Sequence, residues 1–216
     1  MIIKNMFKFN KSNIKTFNEP AKLVEKSTLN FENLLKNIQN SKSYDAYVDC
    51  FEDYLHANPK AVRLNENLIK DGEYYIKSEF LEDSNNSKII LEHLKHLNID
   101  MAPEFVNSTS NNMGFAATVM KIKGTEKGEI LNYSQNKDSV SALSKKKAYE
   151  QLVKLANQNI VNVDILRHPE VLKISEGRIF CEDWSNLCSK NIFLQTYIPD
   201  GNVFDILKKI HEIIYK

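Results

Sequence analysis

The spacing of apolar residues changes twice along the central part of the chain, and this change restricts the fold most. Residues 88–97 carry apolar side chains at the spacing of one helix face, namely Ile90, Leu91, Leu94 and Leu97. Three strands are expected next, one led by Phe105 and the others at residues 114–124 and 128–133, because β-branched and aromatic residues alternate there between turn residues. Helical spacing returns over residues 144–156. The resulting α-β-β-β-α order predicts the α+β fold class.

The region before residue 84 is predicted to be helical. Residues 28–40 show an apolar helical stripe, and a second stripe runs from Tyr44 to Leu55. The second helix should end at Asn58-Pro59, because the residue before a proline disfavours helical dihedral angles. The apolar residues of segment 60–82 favour further helix.

A polar run at residues 82–87 is rich in helix-capping residues and marks a domain boundary. The chain is therefore divided into three parts: a helical N-terminal region (1–83), a central domain (84–160) and a small hairpin-and-helix extension (161–216).

The C-terminal extension is predicted to begin with a β-hairpin that turns at Glu176-Gly177. A strand is expected over residues 191–198, followed by a turn at residues 199–201. The segment from Phe204 onwards predicts a helix with an apolar stripe of Phe204, Leu207, Ile210 and Ile214. Such a helix should dock on the rest of the protein or on a partner.

The composition limits the partners and the compartment. Lys and Arg number 29 against 28 Asp and Glu, so attraction for a polyanion must come from uneven placement of charge. The sequence has no C-x-x-C pair among its three cysteines, Cys50, Cys181 and Cys188, which argues against a disulfide framework and against structural zinc. This use of cysteine favours a reducing compartment such as the cytoplasm. No uninterrupted apolar stretch approaches the roughly 18 residues of a membrane span, so no membrane partner is expected. The first eighteen residues hold four lysines and no acid, which leaves a mitochondrial presequence as the alternative.

The sequence Ser144-Lys145-Lys146-Lys147 concentrates positive charge at the start of a predicted helix. Ser144 is expected to be the N-cap, which places the three lysines in the first turn, where the helix dipole is already positive. This placement combines unpaired backbone N–H groups with ammonium groups and suits a phosphate. The alternative is a solvated face, which is what runs of like charge usually are.

Four segments resemble the double-stranded-RNA-binding domain family in order and approximate spacing, over about residues 84–159. They are SKIILEHL, APEF, FAATVMKIKG and SKKKAYEQL. The residues that match the family pattern are Glu92, Pro103, Phe105, Phe115, Val119, Ser144, Lys145, Lys146 and Ala148.

This resemblance implies that Lys88, Glu92 and Lys95 reach the RNA minor groove and that Lys145, Lys146 and Lys147 contact phosphates. The loop after the first strand lacks the G-P-x-H of the family, so the second minor-groove contact falls to Asn111, Asn112 or the backbone.

The function implied by the resemblance is non-catalytic recognition of duplex RNA by shape, as a regulator or an accessory subunit of an RNA-processing complex. The alternative is a structural ribonucleoprotein component, such as a mitochondrial ribosomal protein, that also binds protein partners. A second copy of the chain is a further expected partner, whereas no cofactor and no small-molecule substrate is expected.

Three groups of residues in the sequence could belong to an enzyme. The segments VMKIKG, RHPEVLKI and YIPDGNVFDILKK are superficially similar to parts of a protein kinase, but the sequence contains no H-R-D or D-F-G, so phosphoryl transfer is not expected. The acids Asp49, Glu52 and Asp53 could suggest a ribonuclease-III-type metal site, although such spacing more often marks the wet side of a helix. His93 and His96 form a histidine pair without a third ligand nearby. The sequence therefore predicts no catalytic residue, no metal site and no enzyme activity.

Overall fold

The computed structural model describes residues 28–126 and 129–216, which form an α+β protein as predicted. The predicted presequence and the turn at Lys127-Gly128 lie outside these residues. The helices are α1 (Thr28–Asn40), α2 (Tyr44–Ala57), α3 (Leu81–His96), α4 (Ala142–Asn157), α5 (Val163–Arg167), α6 (Lys190–Tyr197) and α7 (Val203–Tyr215). The strands are β1 (Val62–Asn65), β2 (Leu68–Asp71), β3 (Tyr74–Phe80), β4 (Glu104–Ser110), β5 (Phe115–Lys121), β6 (Leu131–Asn132), β7 (Ile160–Asn162), β8 (Leu172–Ser175), β9 (Arg178–Cys181) and β10 (Leu187–Ser189).

The first part of the molecule, which we call the N-lobe (residues 28–121), is built on an antiparallel five-stranded sheet in the order β1-β2-β3-β5-β4. Helix α3 connects β3 to β4 and packs on one face of this sheet, while α1 and α2 cover the other face. Because both faces are covered, the interior strand β5 is buried without alternation from Ala116 to Met120.

The second part, which we call the C-lobe (residues 129–216), contains two small antiparallel sheets. One has the order β6-β8-β9, and the other pairs β7 with β10. Helices α4 and α7 pack against each other beside them. The larger hydrophobic core joins the lobes, because Tyr75 and Met120 of the first sheet belong to the same buried cluster as Leu172 and Phe180.

Two predicted elements have the wrong secondary structure. Residues 60–82 were expected to be mostly helical but form β1, β2 and β3, and Gly72 at a φ of +60° makes the tight turn between the last two. Residues 191–198 were expected to be a strand but lie mostly in α6. The Ser189 hydroxyl caps that helix by accepting from the Ile192 amide at 3.3 Å.

The double-stranded-RNA-binding fold is not formed by the central segment, although its elements occur in the predicted order. Strand β6 pairs with β8 of the C-lobe instead of β5, and β5 pairs with β3 of the N-lobe. The predicted boundary between residues 83 and 84 falls inside α3. The family's own three-stranded sheet is therefore absent from this part of the described chain.

Helix α7 docks within the chain through most of the predicted stripe, because Ile210 and Ile214 are buried and Leu207 packs against the core. Ile206 and Ile213 are also buried, whereas Phe204 is 78% exposed and does not belong to the buried face. The Tyr133 hydroxyl donates to the carbonyl of Ile214 at 2.5 Å and ties the end of the helix to the core. None of the helices in the described ranges has the length and apolar character that a membrane crossing requires.

Candidate active site between the lobes

Lys77 projects from β3 towards the C-lobe. Side chains alternate along a strand, so Tyr75, Lys77 and Glu79 share the face opposite to Ile76, which packs under α1 and α2. The ammonium nitrogen of Lys77 lies 3.4 Å from Glu79 Oε2 and 3.4 Å from Asp183 Oδ2. The second contact is an ion pair across the cleft, between a strand of the N-lobe and a loop of the C-lobe.

Asp183 is held in place by the loop that follows β9. The indole of Trp184 is 2% exposed and donates to the carbonyl of Cys181 at 3.0 Å, which anchors this loop in the core. Asp183 Oδ1 accepts from the Ser185 amide at 2.9 Å, while Oδ2 points to Lys77. The carboxylate is half exposed, and its Oδ2 lies beside the ammonium group of Lys77 at the edge of the cleft.

Asp164 is brought to the same region by the pairing of β7 with β10, which aligns Asn162 with Leu187. Asn162 caps the short helix α5, and Asp164 lies in its first turn. The Asn186 side-chain amide donates to Asp164 Oδ1 at 2.9 Å. The loop 182–186 therefore carries Asp183 and also orients Asp164.

Both members of the cross-cleft ion pair are charged near neutral pH. Burial lowers the pKa of Lys77, but Asp183 and Glu79 together raise it more, so the net pKa lies above the ordinary lysine value. Partial burial raises the pKa of Asp183, but Lys77 and the hydrogen bonds from Ser185 outweigh this effect and the net pKa is lowered. The cleft therefore presents one cation and one exposed carboxylate side by side.

The cleft next to Lys77 has a volume of about 1050 Å³. The polar residues of its lining include Lys77, Glu79, Glu82, Asp83, Ser185 and Asn186. Its aromatic residues are Tyr44, Tyr47, Phe80, Phe115 and Tyr197. Phe80 is 62% exposed, and its ring centre lies 5.7 Å from that of Phe115. A lining with both kinds of residue can take a ligand with a charged part and a flat aromatic part.

The residues predicted to contact RNA lie away from Lys77 and are dispersed. Lys88, Glu92 and Lys95 are exposed on α3, and the Lys88 ammonium lies 5.4 Å above the ring centre of Phe105. Asn111 is buried, where its side-chain oxygen accepts from the Met113 and Phe115 amides. Its role is to hold the β4–β5 turn, whereas Asn112 next to it is exposed.

The predicted phosphate site at Ser144 has a different local structure. Ser141 is the N-cap of α4, and its hydroxyl accepts from the Ser144 amide at 3.1 Å. The Lys145 amide bonds to the Ser141 carbonyl at 3.0 Å, so the three lysines lie beyond the unpaired amides of the helix start. Lys146 and Lys147 are exposed, and Lys146 lies 3.8 Å from Glu150 in an i,i+4 pair. The geometry is that of a solvated helix face.

The acidic residues that could suggest a metal site lie on the surface of the molecule. Asp49, Glu52 and Asp53 lie on the exposed side of α2, and Glu52 pairs with Arg63 at 2.5 Å. Within residues 28–126 and 129–216, no group of three or more His, Cys, Asp or Glu side chains is arranged to hold a metal ion by itself.

Sequence reasoning missed Lys77, Asp164 and Asp183. Intact H-R-D and D-F-G segments are absent from the sequence, but aspartates end Asn162-Val163-Asp164 and begin Asp183-Trp184-Ser185. A search for these aspartates alone, together with a lysine on a strand that precedes a helix, could have found all three residues.

No protein-family model matches the chain, and no curated protein matches it. Among solved structures, the chain is similar to the kinase PK-1 of Cydia pomonella granulovirus, with a TM-score of 0.42 and 18% sequence identity. The similarity covers 65% of this chain and 57% of the viral kinase. The chain thus spans little more than half the length of that protein.

The prediction of a non-catalytic, double-stranded-RNA-binding protein is wrong. The central segment lacks the sheet that the predicted domain requires, because β5 pairs with β3 and β6 pairs with β8. The expectation that the chain is not an enzyme followed from that domain assignment and is withdrawn with it.

Proposed function

We propose that the cleft between the lobes is a phosphoryl-transfer site of the kinase type, which takes a nucleoside triphosphate together with a divalent cation. The observation that carries this proposal is the ion pair between Lys77 of β3 and Asp183 of the loop after β9, 3.4 Å apart across the cleft. In protein kinases, a lysine on a strand of the smaller lobe pairs with phosphates, and an aspartate of the facing loop holds the metal.

The chemistry of these residues supports distinct roles. The Lys77 ammonium would bind a phosphate oxygen as a compact point charge. Asp164, oriented by Asn186, is the carboxylate available to accept the proton of an acceptor hydroxyl. Carboxylate oxygens suit Mg²⁺, which is usually held by one or two carboxylates plus substrate phosphates. Asp183 would supply the protein's carboxylate to such a site, and the bound cation would neutralise charge on the phosphates.

The aromatic lining of the cleft supports a nucleoside as the other part of the ligand. Tyr75, next to Lys77 on the same face of β3, is fully buried and fills the space beneath the sheet. A base would therefore lie beyond the end of β3, against Phe80 and Tyr44, which come from the opposite face of the sheet to Lys77 and are both more than half exposed. Stacking of a base on an aromatic ring contributes roughly 1–3 kcal/mol and is tolerant of base identity.

The proposal is tested by titrating ATP with and without Mg²⁺ by calorimetry and by following phosphate transfer to a mixture of acceptor proteins. Lys77→Met should weaken binding of Mg²⁺–ATP by about tenfold or more, because a charge-assisted hydrogen bond contributes roughly 1.5–3 kcal/mol. The matched control is Lys123→Met, since Lys123 is an exposed lysine that pairs with Glu104 at 2.7 Å outside the cleft.

Further variants separate the roles. Asp183→Asn should remove the Mg²⁺ dependence of binding, Asp164→Asn should retain binding but lose transfer, and Phe80→Ala should weaken ATP by at least about fivefold. A wild-type protein that binds no ATP at millimolar concentration with Mg²⁺ would refute the proposal. Equal binding by the Lys77→Met and Lys123→Met variants would refute the assignment of Lys77.

A further inference from the structure

Lys77 has two carboxylate partners whose surroundings differ. The Asp183 side chain is 54% exposed and can turn towards solvent or a cation, whereas the Glu79 side chain is only 5% exposed. An arriving phosphate can therefore replace Asp183 beside Lys77 without burying an unpaired charge. Loss of the Glu79 contact would leave a carboxylate buried without its cation, which is strongly unfavourable.

Glu79 is fixed by hydroxyl groups on both carboxylate oxygens. The Thr118 hydroxyl of β5 donates to Oε1, and the Ser87 hydroxyl of α3 donates to Oε2 at 3.3 Å. The Ser84 hydroxyl, one turn earlier on α3, is hydrogen bonded to Thr118 at 2.7 Å. Ser84, Ser87 and Thr118 are themselves buried, so this cradle is part of the core between α3 and the sheet.

The buried carboxylate that pairs with Lys77 comes from the same strand and not from the following helix. In protein kinases the strand lysine pairs with a glutamate of the following helix. Here the face of α3 that packs on the sheet carries Ser84 and Ser87, while its acids Glu82, Asp83 and Glu92 are exposed. The carboxylate comes instead from β3, two residues beyond Lys77 on the same face of the strand.

We propose that Glu79 is the positioning residue for Lys77, and that the hydroxyls of Ser84, Ser87 and Thr118 hold its carboxylate in place. This inference rests on the proposed function for its purpose, the alignment of Lys77 with a phosphate, but the contact itself exists without a ligand. Because lysine and glutamate belong to one strand, the pair stays assembled whatever the position of the end of α3. Movement of α3 can loosen the cradle, but it cannot carry the carboxylate away.

The test measures the lysine itself and needs no nucleotide. Glu79→Gln keeps the size of the side chain and removes its charge, so the pKa of Lys77 should fall and acylation by an amine-reactive ester should become about tenfold faster at fixed pH. Peptide mass spectrometry reports the rate at Lys77 alone. The matched control is Glu104→Gln, which removes the partner of Lys123 and should leave the Lys77 rate unchanged.

Thr118→Val provides a second variant if Glu79→Gln fails to fold. It is close to isosteric and removes one hydroxyl from the cradle, and it should accelerate acylation of Lys77 by about two- to threefold. An unchanged Lys77 rate in every variant that folds would overturn the inference.

Binding of Mg²⁺–ATP to the same variants distinguishes this inference from the proposed function. If Glu79→Gln accelerates acylation and also weakens ATP by about tenfold, both stand. If acylation accelerates while the wild-type protein binds no ATP, Glu79 positions Lys77 but the proposed function fails.

Discussion

The packing of α7 on the core should contribute a large share of the free energy of unfolding. Ile210 is 2% exposed and lies on the face of α7 that packs against the core next to α4. Replacing it by alanine removes buried methyl and methylene groups and leaves a cavity, which costs about 2–5 kcal/mol of unfolding free energy. A protein of this kind has a total of about 5–15 kcal/mol, so this one change should remove a large share of the stability.

The measurement is urea denaturation followed by far-ultraviolet circular dichroism, with Phe204→Ala as the matched control on the same helix. Phe204 is 78% exposed, so its truncation should change stability by no more than about 0.5 kcal/mol. In thermal scans, the Ile210→Ala variant should melt about 10 °C lower, since about 1 kcal/mol shifts the midpoint by about 2–4 °C in a chain of this length. Equal costs for the two substitutions would refute the assignment of the buried face.

Truncation after Gly201 extends the same reasoning to the whole helix. It removes the four buried isoleucines Ile206, Ile210, Ile213 and Ile214. At about 1.5–3 kcal/mol for each buried side chain, the loss is about 6–12 kcal/mol. This approaches the entire stability of a domain, so the truncated chain should not form a stable C-lobe. A cooperative transition near the wild-type temperature would contradict the packing of α7 within the chain.

Two further predictions concern the loop that carries Asp183. Trp184→Phe should cost about 1–3 kcal/mol in urea denaturation, because the buried carbonyl of Cys181 loses its donor, and an unchanged midpoint would show that the indole N–H contributes nothing. The pKa of Asp183 is lower in the folded protein than in the unfolded chain, so its contribution to stability is present above the ordinary aspartate value of 3.8 and is lost as the pH falls through the folded value. Asp183→Asn should therefore lose less stability than the wild type between pH 5 and pH 2, as followed by the urea midpoint, and parallel curves would contradict this.

Local signals predict the elements whose turns and apolar stripes agree. The hairpin of β8 and β9 forms around Glu176-Gly177, where both residues have positive φ. Helices α1, α2 and α4 follow their apolar stripes, and the boundary at Asn58-Pro59 is that expected of a residue before proline.

Tertiary contacts decide the elements that were assigned incorrectly. Ile69, Ile76 and their neighbours in segment 60–82 have apolar spacings that a helix could also use. Pairing of β2 with β3, and of β3 with β5, makes them strands. Conversely, segment 191–198 is rich in β-forming residues, but the Ser189 cap and burial of Phe193 make it helical. The order of elements at residues 84–160 was predicted, whereas their pairing with distant strands was not accessible to local reasoning.

The residues of the candidate site also meet only through long-range contacts. Lys77 and Asp183 are 106 positions apart, and no local pattern indicates that they meet. Motif searches tolerate few changes, so a search for intact H-R-D passes over Asn162-Val163-Asp164, whose carboxylate accepts from Asn186 of the loop that carries Asp183. The lysine run at residues 145–147 predicted a phosphate site because its charge is concentrated in the sequence. Its position inside the helix, however, leaves it no free backbone amides.

The interior position of β5 restricts the motion of the strand that carries Lys77. Its strand is bonded to β3 on one side and β4 on the other, and residues 116–120 are buried. Amide protons at such positions exchange with solvent only when the whole lobe unfolds, whereas those of the outer strand β1 exchange through local fraying. Lys77 is registered opposite Thr118 of β5, so its backbone belongs to the most slowly exchanging part of the N-lobe. Motions that admit a ligand must therefore come from the Asp183 loop and the surrounding side chains, on timescales much shorter than those of unfolding.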